Sequence, residues 1–177
     1  IKMLPAEELG KLIDRDALYH FKHTGLNPEH PVMRSTVTNP DMFFQSREAN
    51  NPWYQRLPYI VQDYMDQISE LTGRPYHLFD YYGAPDAEHV VIAMGSVTGA
   101  IQKTIDKLCK EGKKVGFIQV HLYRPFSLEH FMKAMPDTVR TITVMDRTKE
   151  PGALGEPLYE DVCAAMSHVK QDVTVLA

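Results

Sequence analysis

The feature that most constrains the fold is an alternation of short apolar strands and amphipathic helices in the second half of the chain. Three strand–helix repeats and a final strand follow one another there. The predicted strands are His89–Met94, Val115–Tyr123, Val139–Met145 and Val173–Leu176. Helices between short buried strands imply parallel pairing with right-handed crossovers. The sequence therefore predicts an α/β fold, a three-layer domain built on a parallel sheet.

Each predicted helix of this half has a recognisable start. Ser96 can cap a helix that ends at Gly112. Ser127 can cap the next, with Phe126 and Phe131 placed as a hydrophobic staple. The third predicted helix is Pro157–Val169. Each start follows a predicted strand in the chain, the first two within a few residues and the third after the loop over residues 146–157.

The first 85 residues differ in kind, since eight of the twelve prolines lie there. Their patterns predict a helix over Pro5–Phe21, an extended irregular segment over His30–Arg56, and a helix over Pro58–Thr72 with Pro58 near its first turn. We therefore expect residues 1–85 to be the end of a first domain with a connecting segment, and residues 86–177 to be the α/β domain, truncated at its C-terminus.

Composition excludes several classes of function. The net charge is −4 and no basic cluster occurs, which argues against nucleic acid as a partner. The longest aliphatic run, Val90–Met94, is far shorter than a membrane span, so we expect no membrane segment. Only two cysteines are present, Cys109 and Cys163, which excludes the four thiolates of an iron–sulfur cluster within this segment.

Chemistry in such a fold is expected where parallel strands end, because ligands gather at that edge. The loop over residues 146–157 carries Arg147 and Lys149 between glycines and prolines. It is either a rigid recognition loop for an anion or a partner domain, or a solvated turn. Gly95 and Ser96 form an ordinary strand-to-helix turn without a phosphate-loop spacing. His121 is more typical of a satisfied buried histidine than of a catalytic base.

Four runs of residues, together covering much of the chain in one order, resemble pyruvate:ferredoxin (flavodoxin) oxidoreductase. The runs are LNPEHPVMRSTVTNPDMFFQSRE (Leu26–Glu48), YHLFDYYGAPDAEHVVIAMGS (Tyr76–Ser96), LYRPFS (Leu122–Ser127) and DRTKEPGALGEPLYEDV (Asp146–Val162). The resemblance implies that this chain is a fragment of a long multidomain enzyme. It would hold the end of domain I and most of domain II, a domain similar to the C-terminal domain of transketolase.

The resemblance also implies a function for the full enzyme. That family oxidatively decarboxylates pyruvate to acetyl-CoA and CO₂ on thiamine diphosphate with Mg²⁺, and passes electrons through [4Fe–4S] clusters to ferredoxin or flavodoxin. CoA is a substrate and the enzyme is usually a homodimer. We expect this fragment alone to be inactive, with no catalytic residue or metal ligand and no bound cofactor. The expected location is the cytoplasm, or an organelle if the source is eukaryotic.

Two sets of residues are expected to face other parts of the enzyme. The set expected to face substrate or CoA is Arg34, Asn39, Gln45 and Arg47. The set expected to form an interdomain or anion-binding loop is Arg124, Arg147, Lys149 and Glu150. The partners of this region would then be other domains of the same chain. The alternative that stays open is a stand-alone binding or interaction module of the same fold without redox activity.

Overall fold

The structure is a computed structural model that describes residues 3–31, 37–169 and 172–177. The chain divides into two compact units, Ile1–Pro75 and Tyr76–Ala177. The sequence placed the division after Pro85, whereas in the structure residues 76–85 belong to the second unit. They do so because they contain a strand that the sequence pattern did not reveal.

The described part of the first unit contains four helices: α1 (Ala6–Lys11), α2 (Arg15–His23), α3 (Pro40–Glu48) and α4 (Asn51–Thr72). The prediction of one helix over Pro5–Phe21 is wrong. The chain breaks there because Asp14 caps α2, accepting hydrogen bonds from the backbone N–H groups of Asp16 (3.0 Å) and Ala17 (2.9 Å).

The prediction of an irregular segment over His30–Arg56 is wrong for α3 and for the start of α4. Pro40 occupies the first turn of α3, where a missing N–H costs little. No residue of α3 is buried, and its aromatic side chains are exposed. A helix without a buried face has no apolar period, so the sequence pattern could not reveal it.

Helix α4 starts seven residues before the predicted position, which places Pro58 inside the helix instead of its first turn. Pro52 takes the first-turn position. A proline in a helix interior removes one backbone hydrogen bond and strains the preceding turn. Helix formation is cooperative, and the turns on either side keep this 22-residue helix continuous. Gly73, in the left-handed conformation, ends it as predicted.

The described part of the second unit contains five strands and three α-helices. In chain order they are β1 (Phe79–Gly83), β2 (His89–Ala93), α5 (Thr98–Lys110), β3 (Val115–Val120), α6 (Leu128–Ala134), β4 (Thr141–Met145), α7 (Pro157–Ser167) and β5 (Thr174–Leu176). A short 3₁₀ turn, Gly95–Val97, precedes α5. The four predicted strands and three predicted helices are therefore confirmed, with ends that differ by a few residues.

The strands form one sheet in the order β1-β3-β2-β4-β5. Strands β2, β3, β4 and β5 pair in parallel. Strand β1 pairs with β3 in antiparallel fashion, with Phe79 opposite Val120 and Gly83 opposite Gly116. The sheet is thus mixed, with an antiparallel edge strand that the sequence did not predict. Strand β1 has the sequence FDYYG and lacks the aliphatic run that marks a buried parallel strand.

Helices cover both faces of the sheet, which confirms the predicted three-layer α/β fold. Helix α5 lies on one face, where Ile101 and Ile105 pack against Ala93 and Phe117. On the opposite face α6 lies against β1, with the rings of Phe131 and Phe79 5.5 Å apart. Helix α7 contacts β4 and β5 there, burying Leu158 and Val162. These layers align the ends of β2, β3 and β4 along one edge.

Candidate functional site at the carboxyl edge of the sheet

Three loops meet at the edge where the parallel strands end. They follow β2, β3 and β4, and comprise residues 94–96, 121–127 and 146–156. Side chains of these loops are held mainly by contacts with each other and with the start of α7. The geometry of each loop decides which of its charged groups remain available to a ligand or partner.

The loop after β2 is a tight turn, as predicted. Gly95 has a positive φ of 79°, and the Thr98 hydroxyl donates to the Gly95 carbonyl at 2.9 Å. The Ser96 side chain does not cap α5, contrary to expectation. Its hydroxyl instead accepts a hydrogen bond from the guanidinium of Arg147 at 3.2 Å. The first loop is thereby tied to the third.

The loop after β3 is joined to α7 by an ion pair. Arg124 Nε donates to Asp161 Oδ2 at 3.0 Å, which raises the pKa of Arg124 further, and the guanidinium lies 4.8 Å above the Tyr123 ring. The Tyr123 hydroxyl is buried near Asp161, without a hydrogen bond of good geometry among the described residues. Burial, and then the Asp161 carboxylate, raise the pKa of Tyr123 to about 12. This hydroxyl therefore stays protonated at neutral pH.

The start of α6 confirms one prediction and corrects another. Ser127 occupies the N-cap position, but its hydroxyl makes no cap hydrogen bond and lies 2.7 Å from His130 Nδ1. The predicted staple is present, because the rings of Phe126 and Phe131 are 5.2 Å apart. Apolar packing and not a hydroxyl cap fixes the entry of the chain into α6.

The loop after β4 is anchored at both ends. The Asp146 carboxylate accepts hydrogen bonds from the backbone N–H groups of Leu158 (3.2 Å) and Tyr159 (3.1 Å) at the start of α7. The Glu156 carboxylate accepts from Lys149 Nζ at 2.6 Å and from the backbone N–H of Glu150 at 2.7 Å. The Lys149 contact lowers the pKa of Glu156. The loop is thus anchored at its two ends, while residues 147–154 between them are exposed.

The cationic side chains at this edge differ in whether they have a carboxylate partner. Arg124 and Lys149 each have a carboxylate partner. Arg147 pairs with no carboxylate among the described residues and contacts only the uncharged Ser96 hydroxyl. It borders a cavity of about 310 Å³ lined by Met94, Ser96, Val97, Met145, Asp146 and Arg147. Arg147 is therefore the cation of this loop best placed to receive an anion.

A second charged cluster lies beside β1 and β3. Asp80 Oδ1 lies 2.6 Å from His77 Nδ1, and Asp80 Oδ2 lies 3.0 Å from His121 Nε2. Burial alone would raise the pKa of Asp80, but the hydrogen bonds from His121 and His77 outweigh it and the pKa is lowered. The side chain of His121 is 26% exposed and satisfied by this carboxylate. The sequence did not predict this cluster because it did not predict strand β1, which carries Asp80.

The residues expected to face substrate belong to the first unit. Arg34 lies outside the described residues. Asn39 occupies the N-cap position of α3 without a side-chain cap hydrogen bond, while Gln45 and Arg47 lie on the helix and are exposed. The Arg47 guanidinium lies 5.2 Å from the centre of the Phe43 ring. Asn39, Gln45 and Arg47 therefore all lie on α3 or at its N-cap position.

Two further findings concern the described part of the chain. No group of three or more His, Cys, Asp or Glu side chains there is arranged to hold a metal ion. None of the helices described has both the length and the apolar character to cross a membrane.

The fold places the chain in the class of proteins with a three-layer α/β domain. In this chain the domain has an anchored loop at the carboxyl edge of its sheet and follows a helical unit. Two family models match the chain in succession. Residues 1–66 match the thiamine-diphosphate-binding model of pyruvate flavodoxin/ferredoxin oxidoreductase, and residues 87–177 match core domain II of pyruvate:ferredoxin oxidoreductase. The chain belongs to the pyruvate:ferredoxin (flavodoxin) oxidoreductase family, as its sequence motifs indicated.

Curated relatives carry the same family name. A pyruvate-flavodoxin oxidoreductase of Enterobacter agglomerans is 58% identical over 93% of this chain and 14% of its own length. A pyruvate:ferredoxin oxidoreductase of Moorella thermoacetica is 52% identical over 99% of this chain and 15% of its own length. The chain therefore spans about one seventh of the length of these relatives.

Among solved structures, a 2-oxoglutarate:ferredoxin oxidoreductase from Magnetococcus marinus matches 86% of this chain and 22% of its own. The identity is 20% and the TM-score 0.43, too low to carry an argument about fold or function. The family assignment therefore depends on the two family models and the curated relatives.

Proposed function

We propose that the full-length protein containing this chain oxidatively decarboxylates pyruvate. Pyruvate and CoA give acetyl-CoA, CO₂, one proton and two electrons, and the electrons pass to ferredoxin or flavodoxin. The observation that carries the proposal is the succession of two family models of this enzyme along the chain. The high identity to relatives with this activity in their names supports it.

We place the [4Fe–4S] clusters, and most of the ligands of thiamine diphosphate and Mg²⁺, on parts of the full-length protein outside this chain, although residues 1–66 match the thiamine-diphosphate-binding model. A cluster needs four cysteine thiolates, and this chain has two cysteines. Cys109 lies on α5 with Sγ 3.5 Å from the Val115 carbonyl, and Cys163 lies on α7. These donors do not fit a cluster, and the described residues offer no other metal-binding group. No reaction step is therefore assigned to them.

The contribution of this region is then to position other parts of the enzyme. We assign Arg34, Asn39, Gln45 and Arg47 to the approach of CoA or pyruvate. The support is that α3 presents polar and aromatic side chains without burying any of them, with Phe44 71% exposed. Exposed aromatic and arginine side chains together are typical of surfaces that bind a partner or ligand.

The carboxyl edge of the second unit is assigned to docking of a neighbouring domain. Arg124, Lys149 and Glu150 belong to the anchored loops, and Arg147 supplies the charge that the partner neutralises. The support is that Arg147 borders a cavity while its guanidinium has only a hydroxyl partner among the described residues. The partner group we propose is a carboxylate of another domain, in a homodimeric cytoplasmic enzyme. An organellar location is the alternative for a eukaryotic source.

Paired substitutions in the full-length enzyme test both assignments. Arg34→Ala and Arg47→Ala should each raise the apparent KM for CoA or pyruvate roughly tenfold to a hundredfold, because a hydrogen bond to a charged group contributes about 1.5–3 kcal/mol. Arg147→Ala should leave both KM values unchanged and lower the temperature at which activity is lost. Steady-state kinetics and thermal inactivation measure the two effects.

Lys103→Ala is the matched control, because Lys103 is exposed on α5 and its contact with Asp106 is long, at 3.9 Å. It should change neither property. Unchanged KM values in both α3-region variants would remove that assignment. A changed KM in Arg147→Ala, or an unchanged inactivation temperature, would remove the docking assignment.

A further inference from the structure

The cavity beside Arg147 lies where the neighbouring strands β2 and β4 end. Its volume is about 310 Å³. One side is formed by residues that follow β2, and the other by the last residue of β4 and the start of the loop after it. The lining residues are Met94, Ser96, Val97, Met145, Asp146 and Arg147. All six belong to the second unit, so one compact unit builds the whole cavity.

The strands that frame the cavity are also where the chain reverses its direction across the sheet. Helix α5 leads from β2 to β3 on one side, whereas α7 leads from β4 to β5 on the other side. The loops after β2 and β4 therefore leave the edge in opposite directions, and their helices lie on opposite faces of the sheet. In open α/β sheets, the crevice at such a switch point is where ligands bind.

The lining combines one cation with an apolar surface. Met94, Val97 and Met145 supply the apolar side chains. The Arg147 guanidinium donates to the Ser96 hydroxyl at 3.2 Å and pairs with no carboxylate among the described residues. A guanidinium has five N–H donors, and this contact uses one of them. The others can bind a carboxylate in the bidentate geometry that arginine favours.

Asp146 limits the charge of the ligand that the cavity accepts. Its carboxylate belongs to the lining, although it also accepts hydrogen bonds from the backbone N–H groups of Leu158 and Tyr159. A ligand with one negative charge is attracted by Arg147, whereas a dianion such as phosphate is repelled more strongly by Asp146. The volume is at the small end of the range of ligand pockets, which suits a ligand of a few carbon atoms.

We propose that this cavity binds a short-chain monocarboxylate, with its carboxylate on Arg147 and its apolar end against the methionines and Val97. The inference rests on the proposed function in one respect, because Arg147 is assigned there to a docking carboxylate of another domain. A free monocarboxylate takes the place of that group, so domain docking responds to the concentration of such acids. Pyruvate and unreactive acids such as propionate share this chemistry.

Protection of Arg147 from phenylglyoxal, a reagent that modifies arginine side chains, tests the proposal in the full-length enzyme. Mass spectrometry measures the rate at each arginine. Arg147 should react without ligand, and propionate should slow its reaction saturably, roughly tenfold at ten times the apparent Kd. Pyruvate should act as propionate does, and phosphate at equal ionic strength should protect far less. Arg140 is the matched control, since it precedes β4 at the opposite edge with its side chain 76% exposed. Its rate should not change.

A pair of variants tests the cavity while keeping Arg147. Ser96→Ala removes the hydroxyl that holds the guanidinium and should raise the apparent Kd for propionate roughly twofold to tenfold, the usual effect of one neutral hydrogen bond. Thr104→Ala removes a hydroxyl from α5 that does not line this cavity. It should leave protection by propionate unchanged. Equal protection in Ser96→Ala and wild type would contradict the site.

Four further results would overturn the proposal: an Arg147 that never reacts, equal slowing at Arg140, equal protection by phosphate, or protection by pyruvate but not by propionate. An Arg147 that never reacts would leave the docking assignment in place. Saturable protection with an unchanged inactivation temperature in Arg147→Ala would remove the docking assignment alone. Saturable protection in protein that is loaded with cofactors but inactive would contradict the proposed activity alone.

Discussion

Asp146 illustrates how a single residue stabilises the candidate site. Glu156 occupies the N-cap position of α7, but its carboxylate is directed to Lys149 and to the Glu150 backbone. Asp146 replaces it as the acceptor for the free N–H groups of the first turn, from the far end of the loop. One carboxylate therefore stabilises both the helix start and the loop that precedes it.

Asp146→Ala is expected to loosen the start of α7 in the full-length enzyme. Losing a helix cap costs about 1 kcal/mol, which corresponds to roughly fivefold faster amide exchange at Leu158 and Tyr159. Hydrogen–deuterium exchange of the peptide over residues 154–162 measures this. Asp146→Asn keeps an acceptor oxygen and should show a smaller change. Equal exchange in wild type and Asp146→Ala would refute the capping role.

For single residues, the sequence predicted where helices of the second unit start and singled out the loop that is anchored, but not which hydrogen bonds the side chains make. Ser127 stands at the predicted helix start, yet its hydroxyl contacts His130 and not the backbone. Asp146 and Glu156 fall in the loop that the sequence singled out, but their hydrogen bonds depend on how the loop closes on α7. Such contacts join residues that local patterns cannot relate.

At the scale of elements, the pairing of β1 with β3 depends on two glycines that lie opposite each other. A Cβ on Gly116 would lie 2.7 Å from carbon atoms of the Tyr81 ring, and a Cβ on Gly83 would lie 2.6 Å from the Val115 carbonyl oxygen. Gly83 also has a φ of 134°, which side chains rarely tolerate. Strands β1 and β3 can pair at this end only because neither Gly83 nor Gly116 has a side chain.

Gly116→Ala should weaken the β1–β3 pair in the full-length enzyme. Overpacking of this kind typically costs about 1–3 kcal/mol, so amide exchange across Phe79–Gly83 should accelerate roughly fivefold to a hundredfold. Gly99→Ala is the matched control, since Gly99 is an exposed residue of α5 and a Cβ there meets nothing within 4 Å. It should leave exchange in β1 unchanged. Unaltered β1 exchange in Gly116→Ala would show that Tyr81 adjusts without cost.

The elements that the sequence predicted correctly are those with a buried apolar face. Strand β2 and helix α5 have such faces, and the pattern located both. Helix α3 buries nothing and β1 is an edge strand with polar and aromatic residues, so neither produced a recognisable period. Periodicity reports burial, and an element that buries little within the chain leaves little signal.

At the scale of the whole molecule, the sequence predicted the three-layer fold and the family, while the arrangement of the candidate site needed the structure. The strand–helix repeats fix the layers because parallel strands need crossovers. Arg147 is the cation of the edge that has no carboxylate partner among the described residues. This can be seen only from the contacts that Arg124 and Lys149 make in the structure. Motifs such as DRTKEPG indicate the family but do not reveal those contacts.

The central proposal is that this chain is one region of a longer enzyme that oxidises pyruvate. The most direct measurement is anaerobic assay of the full-length protein, loaded with thiamine diphosphate, Mg²⁺ and iron–sulfur clusters. We expect reduction of ferredoxin or flavodoxin that requires both pyruvate and CoA, with one acetyl-CoA and one CO₂ formed for every two electrons transferred. A fully loaded protein that reduces neither carrier with pyruvate and CoA would contradict it.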